Sequence, residues 1–463
     1  MVIEFNYSVV NIIILFFCLI SDHHVNWKCG EVQALSRVRD VRMKGFKELT
    51  RIEEALKHYF QTVEVKKLPS EETSILEAIG RVLAEDVKSE VDVPPFDRSA
   101  VDGYAVKAED THGASKTNPI VLDLTGTINA GDSSNAELKR SETIRVATGA
   151  HIPKDADAVV MLEYTEKLSN DRVEIYRPIT SGYNVSKKGE DVKTGDVVLW
   201  RGTNLKPQDI GILAAIGRRD ISVVKKPIVA VTSSGNELVE PRTQLETGKI
   251  VDINRYVLIS AIKDVGGNPV DMGIIGDESG VLTDTISNGL ERADMVLVSG
   301  GTSVGTRDLV PEVVNSIGKP GIIVHGIAMR PGMPTALAAI GSKPIILLPG
   351  HPVAALTAFN ALVRPIIARL IGAPVKQMHN KIVRATVERR IPSRPGFRDF
   401  VRVIVHITPN GFIVEPVRVR GASVISSMVR ANGILEIREE KEGVEAGEEV
   451  EVALFRRLEE EEN

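Results

Sequence analysis

The chain is 463 residues long, 43% hydrophobic and 26% charged, the balance of a soluble protein that buries several cores rather than one. Its net charge of −5 comes without a dense basic cluster, which argues against a nucleic-acid partner and for work on small molecules. Both cysteines, Cys18 and Cys29, lie near the start, so everything downstream lacks a thiol for a disulfide, a zinc site or covalent catalysis, and a cytoplasmic location is expected.

The first element, the apolar run from Ile12 to Ile20, is too short to span a bilayer comfortably and lacks the basic start of a secretory signal. Residues 1–42 are therefore expected to be an extension outside the fold, a signal or anchor being the alternative; Met43-Lys44-Gly45-Phe46 resembles a chain start. No membrane partner is expected. Helical spacing from Glu53 to Phe60 and from Ser74 to Ala84, with Pro69 between, predicts a helical, elongated linking domain over 43–90 that resumes at 177–225.

Residues 91–176 change texture, with short Val/Ile/Leu runs cut by Gly and Asp, and predict an inserted β-rich domain. It opens with "PPFDRSAVDGYAV", where two prolines fix an extended backbone and Gly103 permits a sharp turn, so the segment reads as a rigid loop presenting Asp97. Within it, "RVATGAHIPKDADAVV" breaks a strand-like run at Thr148-Gly149. The glycine-punctuated "GYNVSKKGEDVKTGDVVLWRG" then carries Asp191 and leads into the helix-like "PQDIGILAAIG". Over 226–373, strand and helix patterns alternate as in an open parallel sheet, and 374–463 returns to short strands, predicting a small β domain before an acidic tail. The fold class is thus an α/β multidomain protein.

The chemistry concentrates in the α/β part. "LVSGGTSVGTRDLVPEVV" runs from a buried strand through a Gly-rich turn into a helix, where backbone N–H groups and the helix start favour an anion. The stretch matches neither the phosphate loop that ends in Lys-Ser/Thr nor the dinucleotide fingerprint. Glu237 in "TSSGNELVEP", Asp277 in "GIIGDES" and Asp308 at the helix start all follow strands, and ligands of open α/β sheets collect at strand carboxyl ends. Oxygen-only carboxylates beside an anion-binding turn suit Mg²⁺ bridging a phosphate. Taken singly, each carboxylate reads more readily as a helix cap or a solvated residue than as a site residue; together, at the ends of successive strands, they point to a site.

As an ordered set, "PPFDRSAVDGYAV", "TGAHIPKDADAVVMLE", "GEDV", "SSGNEL", "SGGTSVGTRDL", "MRPGMP" and "LPGHPVAAL" resemble the MoeA-type molybdopterin molybdenumtransferases and the C-terminal domain of gephyrin. The resemblance covers about residues 43–455 and implies a homodimer of four-domain protomers with a molybdopterin-binding α/β domain and a C-terminal β-barrel-like domain. It also implies hydrolysis of adenylylated molybdopterin, release of AMP and insertion of molybdate. By this resemblance Asp97, Asp191, Glu237, Asp277 and Asp308 are active-site carboxylates, with Glu237 and Asp308 on Mg²⁺. Thr148 lies near Asp97, and Gly300, Gly301, Thr302, Ser303, Arg330, Pro331 and Pro334 contact substrate. Each active site is expected to be shared between two chains.

Two positions depart from the family pattern. Where the family has basic residues on both sides of a Pro-Gly, this chain has Arg330 and then Met333, and a family serine is replaced by Ala354 after His351. These losses of charge and hydroxyl raise the choice between molybdate and tungstate, and keep a non-catalytic molybdopterin carrier as the rival reading. The adenylyltransferase that precedes this step shares the "SGGTSVG" type of domain, but the inserted and C-terminal domains count against it.

Overall fold

The computed structural model describes residues 49–133, 135–301, 309–374, 381–417 and 421–458. The expectations for residues 1–42, Thr302, Ser303, Asp308 and the acidic tail lie outside the described residues.

In the β-rich segment a six-stranded sheet runs in the order Ala158–Met161, Gly103–Val106, Glu142–Val146, Ile120–Ile128, Arg172–Ile175, Thr165–Lys167. Gly103–Val106 is buried at every position because side chains alternate between two cores, Tyr104 and Val106 in one and Ala105 in the other. This strand follows directly on the Asp97 loop and anchors it.

The linking segment is less helical than its sequence suggests. Ser74–Ala84 holds no α-helix: the strand Ser70–Ser74 pairs antiparallel with Asp220–Val224, a single 3₁₀ turn covers Ile75–Glu77, and Gly80 adopts φ +74°. Long-range strand pairing wins over local periodicity, and Leu76 is left 83% exposed. Helix Pro207–Ala215 forms as expected and packs Leu213 against Leu83, Leu205 and Val223.

The first helix, Ile52–Thr62, forms where expected but packs on the α/β module: Ile52, Ala55 and Tyr59 join one core with Val229, Leu297 and Leu337. The fully buried Tyr59 hydroxyl donates to the Ala338 carbonyl at 3.1 Å.

The α/β sheet has the order Asn268–Ile275, Ile228–Ser234, Met295–Ser299, Lys343–Leu348, Ala336–Ile340, Pro320–His325. The first four strands are parallel, whereas Ala336–Ile340 is antiparallel to both of its neighbours. The sheet is therefore mixed rather than wholly parallel. The reason is local: only Gly341 and Ser342 separate Ala336–Ile340 from Lys343–Leu348, and Gly341 at φ +59° closes a hairpin, which a parallel pair cannot use.

From Pro352 to Ile371 the chain is helical, with a π turn at Phe359–Val363. Pro365 follows that turn, offers no N–H and crowds the carbonyl four residues back, so the ladder widens there. Among the described residues this helix is the one long and apolar enough to cross a membrane, yet it is the core helix of the module, with Phe359, Leu362, Ile366 and Ile367 fully buried. The C-terminal strands Arg398–Thr408, Gly411–Pro416, Lys381–Val387, Glu449–Leu454 and Gly433–Ile437 form a ring that closes on Arg398–Thr408, as a small barrel.

Because Tyr59 ties the first helix to the α/β sheet, Tyr59→Ala should destabilise that module by about 3–5 kcal/mol, the range for truncating a large buried aromatic. Denaturant titration of the full chain measures this.

Candidate active site

Three parallel strands, Ile228–Ser234, Met295–Ser299 and Lys343–Leu348, end at one level, and the turns that follow them line a cleft of about 460 Å³. The turns cross so closely that side chains are excluded. A Cβ on Gly300 (φ +96°) would overlap the Ser234 carbonyl oxygen, and one on Gly301 (φ +62°) would overlap the Val310 side chain. Gly300 donates its N–H to the Leu348 carbonyl at 3.0 Å, so its amide is committed to the fold and its value to the cleft is the close approach of backbone.

Glu237, Asp277, Gly300, Gly301 and Pro334 all line this cleft. Asp277 accepts a 2.6 Å hydrogen bond from the Ser234 hydroxyl, and its amide donates to Asn236 Oδ1 at 3.2 Å, which fixes the turn beside Glu237. Both carboxylates are exposed at the rim. Beneath them is a group that motif reading passed over, in the "DINR" that opens helix Asn254–Asp264. Buried Asn254 donates from Nδ2 to Ser299 Oγ (2.7 Å) and to the Gly350 carbonyl (2.8 Å), clamping the turns on both sides of the cleft. Asp252 accepts from Ser233 Oγ and from Arg255 Nε, both at 3.0 Å. Burial works against charge on Arg255, but Asp271, Asp252 and Glu240 around it hold it firmly protonated. The available signal was charged and amide residues crowding a helix start straight after a strand.

A second hollow of about 290 Å³ adjoins the cleft and shares Pro334 and His351 with it. Arg330, Pro331, Met333, Ala354, Arg394 and Phe397 line it. Arg330 is placed there because Met329–Arg330 pairs in parallel with Arg398–Asp399 of the barrel, which brings Arg330 Nε to 3.5 Å from Asp399 Oδ1. Met333 is partly buried and packs with Leu49, Ala328 and Phe397. The start of the Pro352 helix faces both hollows and adds its partial positive charge.

Asp97 lines neither hollow. It accepts from Lys187 Nζ and from the Lys188 amide, each at 2.8 Å. Burial raises its pKa, yet the Lys187 contact, the Lys188 amide and nearby His151 outweigh that and hold the carboxyl below its ordinary value. Thr148 is exposed, and its amide donates to Asp102 Oδ1 at 2.8 Å. In "GEDV", Asp191 is exposed and its amide bonds the Val93 carbonyl, while the neighbouring Glu190 accepts from Ser186 Oγ and the Lys187 amide, both at 2.7 Å. Sequence reasoning missed Lys187, Lys188, Glu190 and Asp102; the signal was the lysine pair in "SKKGED".

Among the described residues no three His, Cys, Asp or Glu side chains converge as a metal cage. Mg²⁺ needs no such cage, since it keeps water and takes one or two carboxylates plus substrate phosphate. The oxygen donors of Glu237 and Asp277 on one rim fit that requirement.

Comparison with known proteins places the parts in order. Residues 50–217 match the MoeA N-terminal region (domain I and II), 230–369 match a family described as "Probable molybdopterin binding domain", and 384–455 match the MoeA C-terminal region (domain IV). A Methanocaldococcus jannaschii protein named for molybdopterin biosynthesis is 37% identical over 428 residues, covering 89% of this chain and 100% of its own. The molybdopterin molybdenumtransferase of Bacillus subtilis is 32% identical over 394 residues, covering 84% of this chain and 91% of its own. Among solved structures, a molybdopterin biosynthesis MoeA protein of Pyrococcus horikoshii aligns with a TM-score of 0.76 at 33% identity, over 88% of this chain and 100% of its own.

The Asp97 environment generates a pH prediction. Lys187→Met removes the contact that counters desolvation, so the Asp97 pKa should rise, as read by NMR titration of its carboxyl. The folded-state value is the depressed one, so the contact stabilises the fold above the unfolded pKa and this contribution is lost as pH falls through the folded value. The stability gap between variant and parent should accordingly close in acid.

Proposed function

This chain belongs to the MoeA family of molybdenum cofactor biosynthesis, and we propose that it inserts molybdate, or tungstate, into adenylylated molybdopterin with hydrolysis and release of AMP. The family makes it a molybdopterin molybdenumtransferase. The observation that carries the finer reading is the juxtaposition of a glycine-lined cleft edged by Glu237 and Asp277 with a hollow holding Arg330.

In this reading the Gly300-Gly301-Thr302-Ser303 turn receives the terminal phosphate of the pterin, where backbone alone can approach closely. Glu237, with Asp308, would hold Mg²⁺, which supplies positive charge against the phosphoanhydride. Asp277, oriented by Ser234, positions water at the rim. Arg330, with Pro331 and Pro334 shaping the wall, holds the oxyanion beside the pterin. The working unit is a cytoplasmic homodimer, in which Asp97, Asp191 and Thr148 of one chain complete the cleft of the other.

The second reading, a non-catalytic carrier of molybdopterin, is favoured by one feature: Met333 is engaged in an apolar cluster and Ala354 offers no hydroxyl to an oxyanion. AMP release from adenylylated molybdopterin, supplied with Mg²⁺ and with molybdate or tungstate in turn, separates the two. A protein that binds the substrate without releasing AMP under any of these conditions is a carrier.

Glu237→Gln should leave molybdopterin binding largely intact while slowing AMP release on the order of 10²-fold or more, the cost of removing one preorganised electrostatic contact. An unchanged rate would make Glu237 a rim residue only. Sharing of sites is tested by mixing Asp97→Ala with Glu237→Ala chains. A mixed dimer carries both lesions in one site and none in the other, so random pairing should restore about a quarter of full activity from two inactive parents. Activity that stays at the parental floor after verified subunit exchange would place both residues in one site of one chain.

A further inference from the structure

We propose that a hollow of about 170 Å³ beside the inserted sheet binds a small planar carboxylate, one ring bearing one negative charge, and that Arg177 recognises it. The hollow shares no lining residue with either hollow of the candidate active site, so this inference does not rest on the molybdopterin reading.

Arg177 is exposed, and its Cζ lies over the Tyr164 ring, 4.8 Å from the centroid. Stacking holds the guanidinium in place, while its N–H edge makes no hydrogen bond or ion pair among the described residues. Acidic side chains of the two preceding strands turn elsewhere: Glu166 and Glu174 accept from the Tyr176 hydroxyl, at 2.9 and 2.6 Å. None of the side chains that line the hollow is acidic. Tyr164, Thr180 and Tyr183 line it as well, and their hydroxyls also have no partner among the described residues. The turn that carries Thr180 and Tyr183 is fixed. The Tyr183 amide donates to the Thr180 carbonyl at 3.1 Å and the Gly182 amide to the Asp157 carbonyl at 2.7 Å, while Asn184 Nδ2 donates to the Val159 carbonyl at 2.9 Å. Donors held this way lose little freedom on binding a ligand.

One guanidinium with no acid beside it calls for a single negative charge, and its planar fork matches a carboxylate through two parallel hydrogen bonds. Tyr183, 48% exposed, and the apolar lining of Met161 and Ile179 favour a flat apolar body behind that charge. The volume is well below the ~300–1,000 Å³ of sites for drug-sized ligands, which limits that body to about one ring. A dianion such as phosphate would meet one cation and no second. The wall also reaches the loop that presents Asp97, because the Asn184 carbonyl accepts from the Ala100 amide at 2.9 Å. A ligand held against Asn184 therefore steadies that bond.

Calorimetric titration of the full-length protein with benzoate tests this, with benzamide as the uncharged shape and inorganic phosphate as the charge without a ring. Benzoate should bind saturably, with a dissociation constant on the order of 1 mM. Benzamide and phosphate should bind at least about tenfold more weakly. Arg177→Gln, a replacement at an exposed position, should weaken benzoate binding about ten- to a hundredfold, the worth of one charge-assisted hydrogen bond, and Arg177→Lys should fall between. Benzoate should also slow hydrogen exchange at the Ala100 amide of the unaltered protein and not of Arg177→Gln. The proposal is overturned by an absence of saturable benzoate binding, by phosphate binding as tightly as benzoate, or by Arg177→Gln matching the parent; Arg177 is then a hydrated surface arginine stacked on Tyr164. Binding that depends on Arg177 but leaves exchange at Ala100 unchanged keeps the carboxylate site and overturns its reach to the Asp97 loop.

Discussion

The structure of the cleft depends on one steric constraint, the passage of the Ser299–Gly301 turn across the carbonyl of Ser234. Parallel strands that end at the same level send their connecting turns into the same space, and any side chain at Gly300 would fill it. Two glycines at positive φ remove the obstacle, and the turn is then locked from below. Leu348 accepts from the Gly300 amide, while Asn254 bridges Ser299 and Gly350. The turn is therefore held in place by hydrogen bonds within the protein, with its backbone exposed to the cleft at close approach.

A second dependence couples the barrel to the α/β module. Two residues, Met329 and Arg330, leave the α/β module to extend the barrel by pairing with Arg398 and Asp399. This pairing brings Arg330 to Asp399 at the edge of the adjoining hollow, so that hollow exists only where two modules meet. The network that surrounds the junction is strongly charged: Arg398 bonds Glu53 of the first helix and buried Glu439 of the barrel. Burial works against charge on Arg398, and the carboxylates around it overcome that. These ion pairs tie the first helix to the barrel beside the junction.

The Asp97 loop shows how a chain keeps a carboxylate ionised on a half-exposed surface. Asp97 meets a lysine and an amide that are adjacent in sequence to each other but distant from it, so the contact ties the "SKKGED" segment to the loop that leads into the inserted sheet. The carboxylates of the strand ends, Glu237 and Asp277, lie in a different module, around a cleft that Asp97 does not line.

By itself the sequence determined the features that local physics controls. Glycines at the end of a buried strand, a rigid proline-led loop before a strand, Glu237 and Asp277 just after strands, and the order of the modules could all be read from residue type and spacing, since strand ends and tight turns limit which residues fit. What only tertiary structure decided depends on partners far along the chain. Ser74–Ala84 has helical periodicity, but the backbone before it is captured by Asp220–Val224. The first helix carries an apolar face that would suit several surfaces, and it covers the α/β sheet. The parallel pattern gives way at Ala336–Ile340, where a two-residue connection forces antiparallel pairing. Lys187 finds Asp97 across 90 residues, and Arg330 finds Asp399 through a strand pair of two residues. In each case the sequence supplied a group with several possible partners, and the register of strands fixed which of them it met.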